Sequence, residues 1–231
     1  RGFGLRLTAV GNNDESKGEI TKWKLSEFFG RFPPRFLLGT TYTASPVFFE
    51  TTVLPKIDRR FLEGAVILSD LRGFQMARQE VGALRAASTI YSLIYPNFRH
   101  AFHPKVWIMA DKDRVAVLGG SGNLTQSGFI ENIELFDCFE IERGGDEQQL
   151  CGELSQFVTG LLGLWSEEER ADRPGLQAVA GLQRLLTELG ESNSPSADRS
   201  MWFLSSFGGA FPEQLAERVK CEDLKIASPY F

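Results

Sequence analysis

"HPKVWIMADKDRVAVLGGSGNLTQSGFIENIE", residues 103 to 134, decides how the chain is read. HPKVWIM and RVAVLGG are two strand-like runs rich in β-branched and aromatic residues, and LFDCFEIE at 135–142 follows as a third. Upstream, RFLLGTTYT (35–43), FLEGAVILSD (61–70) and TIYSLIYP (89–96) also read as strands. Between them, SPVFFETTVLPKI (45–57) reads as a turn entering a helix, and Arg72 to Ala87 as a helix. This alternation predicts an α/β fold, a layered mixed β-sheet flanked by helices.

At the start, LRLTAVG (5–11) alternates as a strand does, with NNDESKGE (12–19) as its turn. After Glu142 the pattern becomes helical. Leu150, Leu154, Phe157, Val158 and Leu161 recur at spacings of three and four, as do Leu176, Val179, Leu182, Leu185, Leu186 and Leu189. ESNSPSADRS (191–200) has the composition of a linker. Beyond it MWFLSSF is strand-like, FPEQLAERV has a proline near a helix start, and LKIASPYF is strand-like again. Ala44-Ser45-Pro46-Val47-Phe48 recurs as Ala227-Ser228-Pro229-Tyr230-Phe231, each time after a β-type run. The expected organisation is one repeat over residues 1–165, a helical connector and linker over 166–198, and the start of a second, truncated repeat over 199–231. Arg1 in place of Met agrees with a chain trimmed from a longer one.

With 42% hydrophobic and 24% charged residues, the composition is that of a globular protein and excludes a largely disordered one. No apolar run approaches the roughly 20 residues of a membrane span. The first residues lack the sections of a secretory signal, so the expected location is cytoplasmic, with no membrane partner. Cys138, Cys151 and Cys221 are odd in number and form no CxxC pair, which points to reduced thiols. A net charge of −5 argues against indiscriminate coating of nucleic acid. Within that acidic chain Arg72, Arg78, Arg85, Arg99 and Lys105 stand against Asp70 and Glu80, either as a local basic site or as a solvated helix face.

If residues 103–109 are one strand, His103 and Lys105 share a face with Trp107, about 7 Å apart along it, while Val106 and Ile108 anchor in the core. An imidazole attacks phosphorus or moves a proton near neutral pH, and a fixed ammonium stabilises charge on a phosphoryl oxygen. The loop from Gly119 to Thr125 then places glycine N–H groups, at Gly120 among others, beside the uncharged donors of Ser121, Asn123 and Thr125. A plain glycine-rich hairpin turn and a surface histidine are the alternatives for either feature taken alone.

Taken together, these residues resemble the phospholipase D superfamily, marked by H-x-K, an acidic residue a few positions on, G-S-x-N and often N-x-E. Here they are His103-Pro104-Lys105, Asp111, Gly120-Ser121-Gly122-Asn123 and Asn132-Ile133-Glu134. Asp111 falls one residue later than the usual spacing, which lands on Ala110, so it reads as a structural acid or a turn residue. The resemblance implies phosphodiester cleavage with no metal and no cofactor, by two such motifs about a two-fold axis. One histidine forms a phosphohistidine and the other supplies acid to the leaving group. It makes His103 the nucleophile or acid, and Lys105 and Asn123 the phosphate ligands. Ser121, Gly120 and Thr125 contact substrate, and Glu134 orients an imidazole. His100 points away from His103 if residues 99–108 form one strand. The second H-x-K motif is then expected from the absent repeat or from a homodimer partner. The implied substrate is a nucleic acid phosphodiester, DNA preferred, with defence against foreign DNA as one setting. A noncatalytic anion- or nucleic-acid-binding module and a lipid phosphodiesterase are the alternatives.

Overall fold

Near-continuous apolar runs give each central strand two buried sides, and a strand buried on both sides needs a layer on each. The computed structural model describes residues 3–4, 28–97, 99–145, 147–191 and, singly, 203, 205, 207, 213, 214 and 217. Its sheet contains β1 (Phe3–Gly4), β2 (Phe36–Thr41), β3 (Gly64–Ser69), β4 (Ser92–Ile94), β5 (Val106–Ala110), β6 (Arg114–Gly120) and β7 (Leu135–Glu142). The spatial order is β1-β7-β6-β5-β2-β3-β4. β2, β3 and β4 run parallel, β5 is antiparallel to β2 and β6, β6 is antiparallel to β7, and β1 is parallel to β7. The expected mixed α/β sheet flanked by helices is the observed one. Its connectivity gathers the C-terminal ends of β2, β3, β4 and β6 and the N-terminal ends of β5 and β7 at one edge.

On one face Leu38, Val66, Leu68, Ile108, Val115 and Val117 pack against α3 (Leu150–Leu162) and α5 (Pro174–Gly190). Between these helices lies α4 (Glu167–Asp172), opened by a reciprocal Ser166 and Glu169 capping box. Residues 174–190, read from sequence as part of a connector, thus supply much of the cover of the sheet. On the other face Leu37, Ile67, Trp107, Met109 and Leu118 meet Phe28, Phe29, Phe48, Phe49, Val53 and Phe129. There α1 (Pro46–Phe48) is capped by Ser45 and runs on through a π-turn (Phe49–Val53) and a 3₁₀ turn (Leu54–Lys56). No helix among the described residues is long and apolar enough to cross a membrane.

Several expected elements differ from their sequence patterns. The helix read over 72–87 is α2 (Phe74–Glu80) between 3₁₀ turns, because the Glu50 carboxylate accepts the N–H groups of Arg85, Ala86 and Ala87 and pulls them out of helical register. Burial alone would raise the Glu50 pKa, but those three N–H groups and the Tyr91 hydroxyl outweigh it and hold the carboxyl below its usual range. TIYSLIYP contributes only Ser92–Ile94, since Thr89 and Ile90 turn back to Ala86. MWFLSSF is strand at none of its described residues. Phe203 stacks edge-on against Phe157 of α3, and its N–H donates to Glu153. The strand and turn read over 5–19, the linker after Glu191 and the repeated pentapeptide at 227–231 lie outside the described residues.

Gly39 of β2 lies under the ring of Trp107, where an added Cβ would stand 2.4 Å from the indole. Gly39→Ala is expected to destabilise the fold by about 1–3 kcal/mol through overpacking. Chemical denaturation checks this, with Gly82→Ala, where nothing lies within 4 Å of the new carbon, as the quiet control.

Candidate active site

The ladder between β2 and β5 ends at a side chain. Thr40 Oγ1 accepts the Val106 N–H at 2.9 Å and donates to the Val106 carbonyl at 3.1 Å. Pro104 has no N–H with which to extend the ladder. His103 and Lys105 therefore precede the strand rather than lie on it, which corrects the expectation of one regular strand from residue 103. Trp107, expected beside them at the site, is buried in the aromatic core. His100, expected on the opposite face of the same strand, also lies outside any strand and stands exposed.

The pair still meets. Lys105 Nζ lies 2.8 Å from His103 Nδ1 and 3.3 Å from Nε2, closer than a strand repeat of two residues would allow. Lys105 is only 8% exposed, whereas His103 is at the surface. Burial lowers the Lys105 pKa, opposed by the Glu134 carboxylate. Burial and then the Lys105 charge lower the pKa of His103, against its own backbone carbonyl and Asp70, which pull it up. The Tyr42 ring packs on the imidazole at 4.8 Å. A lysine that donates to Nδ1 favours the neutral imidazole, the form that attacks or accepts a proton.

The glycine-rich loop closes the same edge. Gly120 N–H donates to the Lys105 carbonyl at 3.1 Å. Gly120 and Gly122 are required by close approach rather than by a left-handed backbone. A Cβ on Gly120 would meet the Leu135 carbonyl at 2.4 Å, and one on Gly122 the Gly128 carbonyl at 2.4 Å. Asn123 Oδ1 faces the Thr43 N–H at 3.4 Å and the Thr41 hydroxyl at 3.3 Å. Its amide nitrogen has no hydrogen-bond partner among the described residues, which leaves two donors for an oxyanion. Ser121 is occupied on both counts: its hydroxyl donates to Glu134 Oε2 and accepts the Leu135 N–H at 3.1 Å. Glu134, expected to orient an imidazole, thus holds Ser121 and is felt by Lys105. Thr125 turns away from the edge, where its hydroxyl accepts the Gly128 N–H at 3.0 Å and opens the turn Ser127–Glu131.

Asp111 stands just past the far end of β5, about 20 Å along the chain from Lys105. There Oδ1 accepts the N–H groups of Asp113 and Arg114 at 2.8 Å each, and it shapes the β5–β6 hairpin. The geometry adds residues that the motif pattern passes over: Thr40, Thr41, Tyr42 and Asp70. All four lie at or just past the C-terminal ends of β2 and β3, where open α/β sheets place their sites, so the run VILSD ending β3 carried a readable signal. Among the described residues no three His, Cys, Asp or Glu side chains gather as metal ligands. Burial pushes the Cys138 thiol up to about 11 and that of Cys151 up to about 12, so neither is a thiolate at neutral pH.

Fold and edge together define a mixed-sheet α/β protein with histidine, lysine and asparagine at one sheet edge. No family model and no curated protein matches the chain. Among solved structures it is similar to NucT from Helicobacter pylori, at 18% identity and a TM-score of 0.34, over 48% of this chain and 70% of that one. At that TM-score the likeness adds nothing to the reading of single residues.

Because the fold favours the neutral imidazole, His103 is expected to titrate below the usual histidine value of 6.5, and Lys105→Met to raise its midpoint. The stability that accompanies this shift is present above pH 6.5 and is lost as pH falls below it, where the unfolded chain binds the proton more readily. The chain has two histidines, so NMR titration in a His100→Gln background reads His103 alone.

Proposed function

We propose that this chain is a half-site of a metal-independent phosphodiesterase, acting on nucleic acid and preferentially on DNA. One observation carries the reading: a buried lysine donates directly to an exposed histidine at the sheet edge. Burying an ammonium is costly, and a neutral imidazole repays little of that cost, whereas a phosphodiester oxygen supplies a full counter-charge. An incoming phosphoryl oxygen competes for the Lys105 protons and draws the ammonium off the ring, beside the phosphorus. The Asn123 amide supplies two further donors. A ring nitrogen of His103 then forms a bond to phosphorus as the P–O bond to the leaving alcohol breaks, and a second histidine gives that oxygen its proton. In the return step water attacks the phosphohistidine, the P–N bond breaks, and the second histidine takes the proton from water. That second histidine comes from a further H-x-K motif, in another repeat or in a second copy of the chain.

One observation favours a noncatalytic anion-binding module instead: Glu134 is spent on Ser121, not on the histidine. Hydrolysis assays with DNA, RNA and phosphatidylcholine separate the nuclease, binding-module and lipid readings. Turnover of DNA is expected to persist in excess chelator, because Lys105 and Asn123 supply the charge stabilisation, and to fall by about 10²- to 10⁴-fold in His103→Ala. Activity restored only by Mg²⁺ after exhaustive chelation counts against this reading, and anion binding without turnover by the complete protein favours the binding module.

A further inference from the structure

Among the described residues only two charged side chains are buried, Lys105 and Asp70, and the chemistry proposed above uses only the first. Asp70 is 3% exposed at the end of β3. One carboxylate oxygen accepts the Phe102 N–H at 2.6 Å, and the other accepts the Arg72 N–H at 2.7 Å. Phe102 is the residue before His103. We infer that Asp70 is a positioning residue, which holds the backbone entering His103 and so sets where the imidazole stands against Lys105; this rests on reading His103 as the reactive group.

Residues 99–105 belong to no helix or strand, so the segment needs a fixed point of its own. The Phe102 side chain is buried in the core, and a charged acceptor on its N–H fixes the backbone where the chain turns toward the surface. The same turn reaches the imidazole from a second side. The Ser69 hydroxyl donates to the Tyr42 carbonyl at 3.2 Å, the Asp70 N–H donates to the Thr41 carbonyl at 3.3 Å, and the Tyr42 ring packs on His103. The charged and titratable groups around the ring include Lys105 from the entry to β5, Asp70 from the end of β3 and Tyr42 beyond β2. Glu134 acts on Lys105. Glu50 and Glu80 also accept backbone N–H groups, but they tether Arg85–Ala87 and Val47, away from the segment that carries the histidine.

The test uses Asp70→Asn, Asp70→Glu and, as a control tether, Glu80→Gln, each in the His100→Gln background. Asparagine offers one acceptor oxygen and turns an NH₂ toward the second N–H, so it cannot hold both backbone groups. Asp70→Asn is expected to speed exchange of the Phe102 amide by about tenfold or more and to lower the His103 midpoint, because the carboxylate charge is gone. Asp70→Glu is expected to return the midpoint toward wild type, and Glu80→Gln to move neither reading even if it lowers the melting temperature. Wild-type values of both readings in Asp70→Asn, or an equal shift of the midpoint in Glu80→Gln, overturn the inference. If Asp70→Asn does not fold, the wild-type protein decides: a Phe102 amide that exchanges as fast as that of Ala101 overturns it, and one strongly protected sustains it. Inorganic phosphate that leaves the His103 resonance of the wild type unmoved counts against the phosphodiesterase reading and does not touch these two readings of the tether.

Discussion

The packing of Trp107 on Gly39 is the contact on which the site side of the molecule depends. The indole lies where a side chain of β2 would otherwise stand, so β2 and β5 approach with one large ring between the sheet and its aromatic cover. Phe29, Phe49 and Phe129 all pack on that ring, at centroid distances of 5.2, 6.3 and 6.1 Å. Three separate pieces of chain are thereby fastened to one side chain: the segment before β2, the helical segment after it, and the turn beyond the glycine-rich loop. Edge-to-face and offset contacts of this kind add to the gain from burial, and they fix orientation. Lys105 lies two residues before Trp107, so its backbone enters the sheet beside this buried ring.

From that fixed point the site is built by ending the ladder early. Thr40 occupies both hydrogen-bonding groups of Val106 and Pro104 offers no donor, so the chain leaves the sheet and doubles Lys105 back onto His103. A regular strand would hold the two side chains about 7 Å apart, too far for a hydrogen bond and further than one phosphoryl group needs. The irregular backbone is therefore what brings the two side chains together. Backbone irregularity requires other acceptors, and Asp70 supplies one.

Strands β6 and β7 are legible in the sequence because RVAVLGG and LFDCFEIE are short runs rich in β-branched and aromatic residues, the first a continuous apolar stretch buried on both sides. The two long helices are equally legible, since their apolar positions repeat with helical spacing over several turns. What was not legible depends on side chains that meet backbone far away in sequence. Glu50 ends a helix more than thirty residues on, and Thr40 ends a strand more than sixty residues on. The site divides in the same way. His103, Lys105 and Asn123 stand out as residue types in a pattern, and the structure sets them at one sheet edge. Ser121, Glu134, Thr125 and Asp111 match the pattern too, but their partners are Glu134, Ser121, Gly128 and a hairpin turn. Spacing identifies which side chains are available; it does not say which hydrogen bonds already consume them.

Charge is distributed unevenly over this acidic chain. Many of the cations away from it are matched by neighbours: Arg31 with Glu140, Arg35 with Glu63, Arg60 with Asp58, Arg114 with Asp111 and Arg173 with Glu169. Exposed pairs of this kind add little stability, but they leave little net field for a polyanion to feel beyond a Debye length of roughly 8 Å at physiological salt. Lys105 differs because its charge is buried and its direct partner is a neutral ring. Arg72 and Arg99, exposed and absent from those ion pairs, leave β3 and approach β5 on the stretches that Asp70 joins. Arg72 and Arg99 thus leave positive charge at this edge outside the ion pairs named above, while the Asp70 carboxylate is enclosed and committed to two N–H groups. Burial of that one acid commits its charge to the backbone on both sides of the edge, so the segment before His103 is held by a carboxylate that is not exposed to solvent.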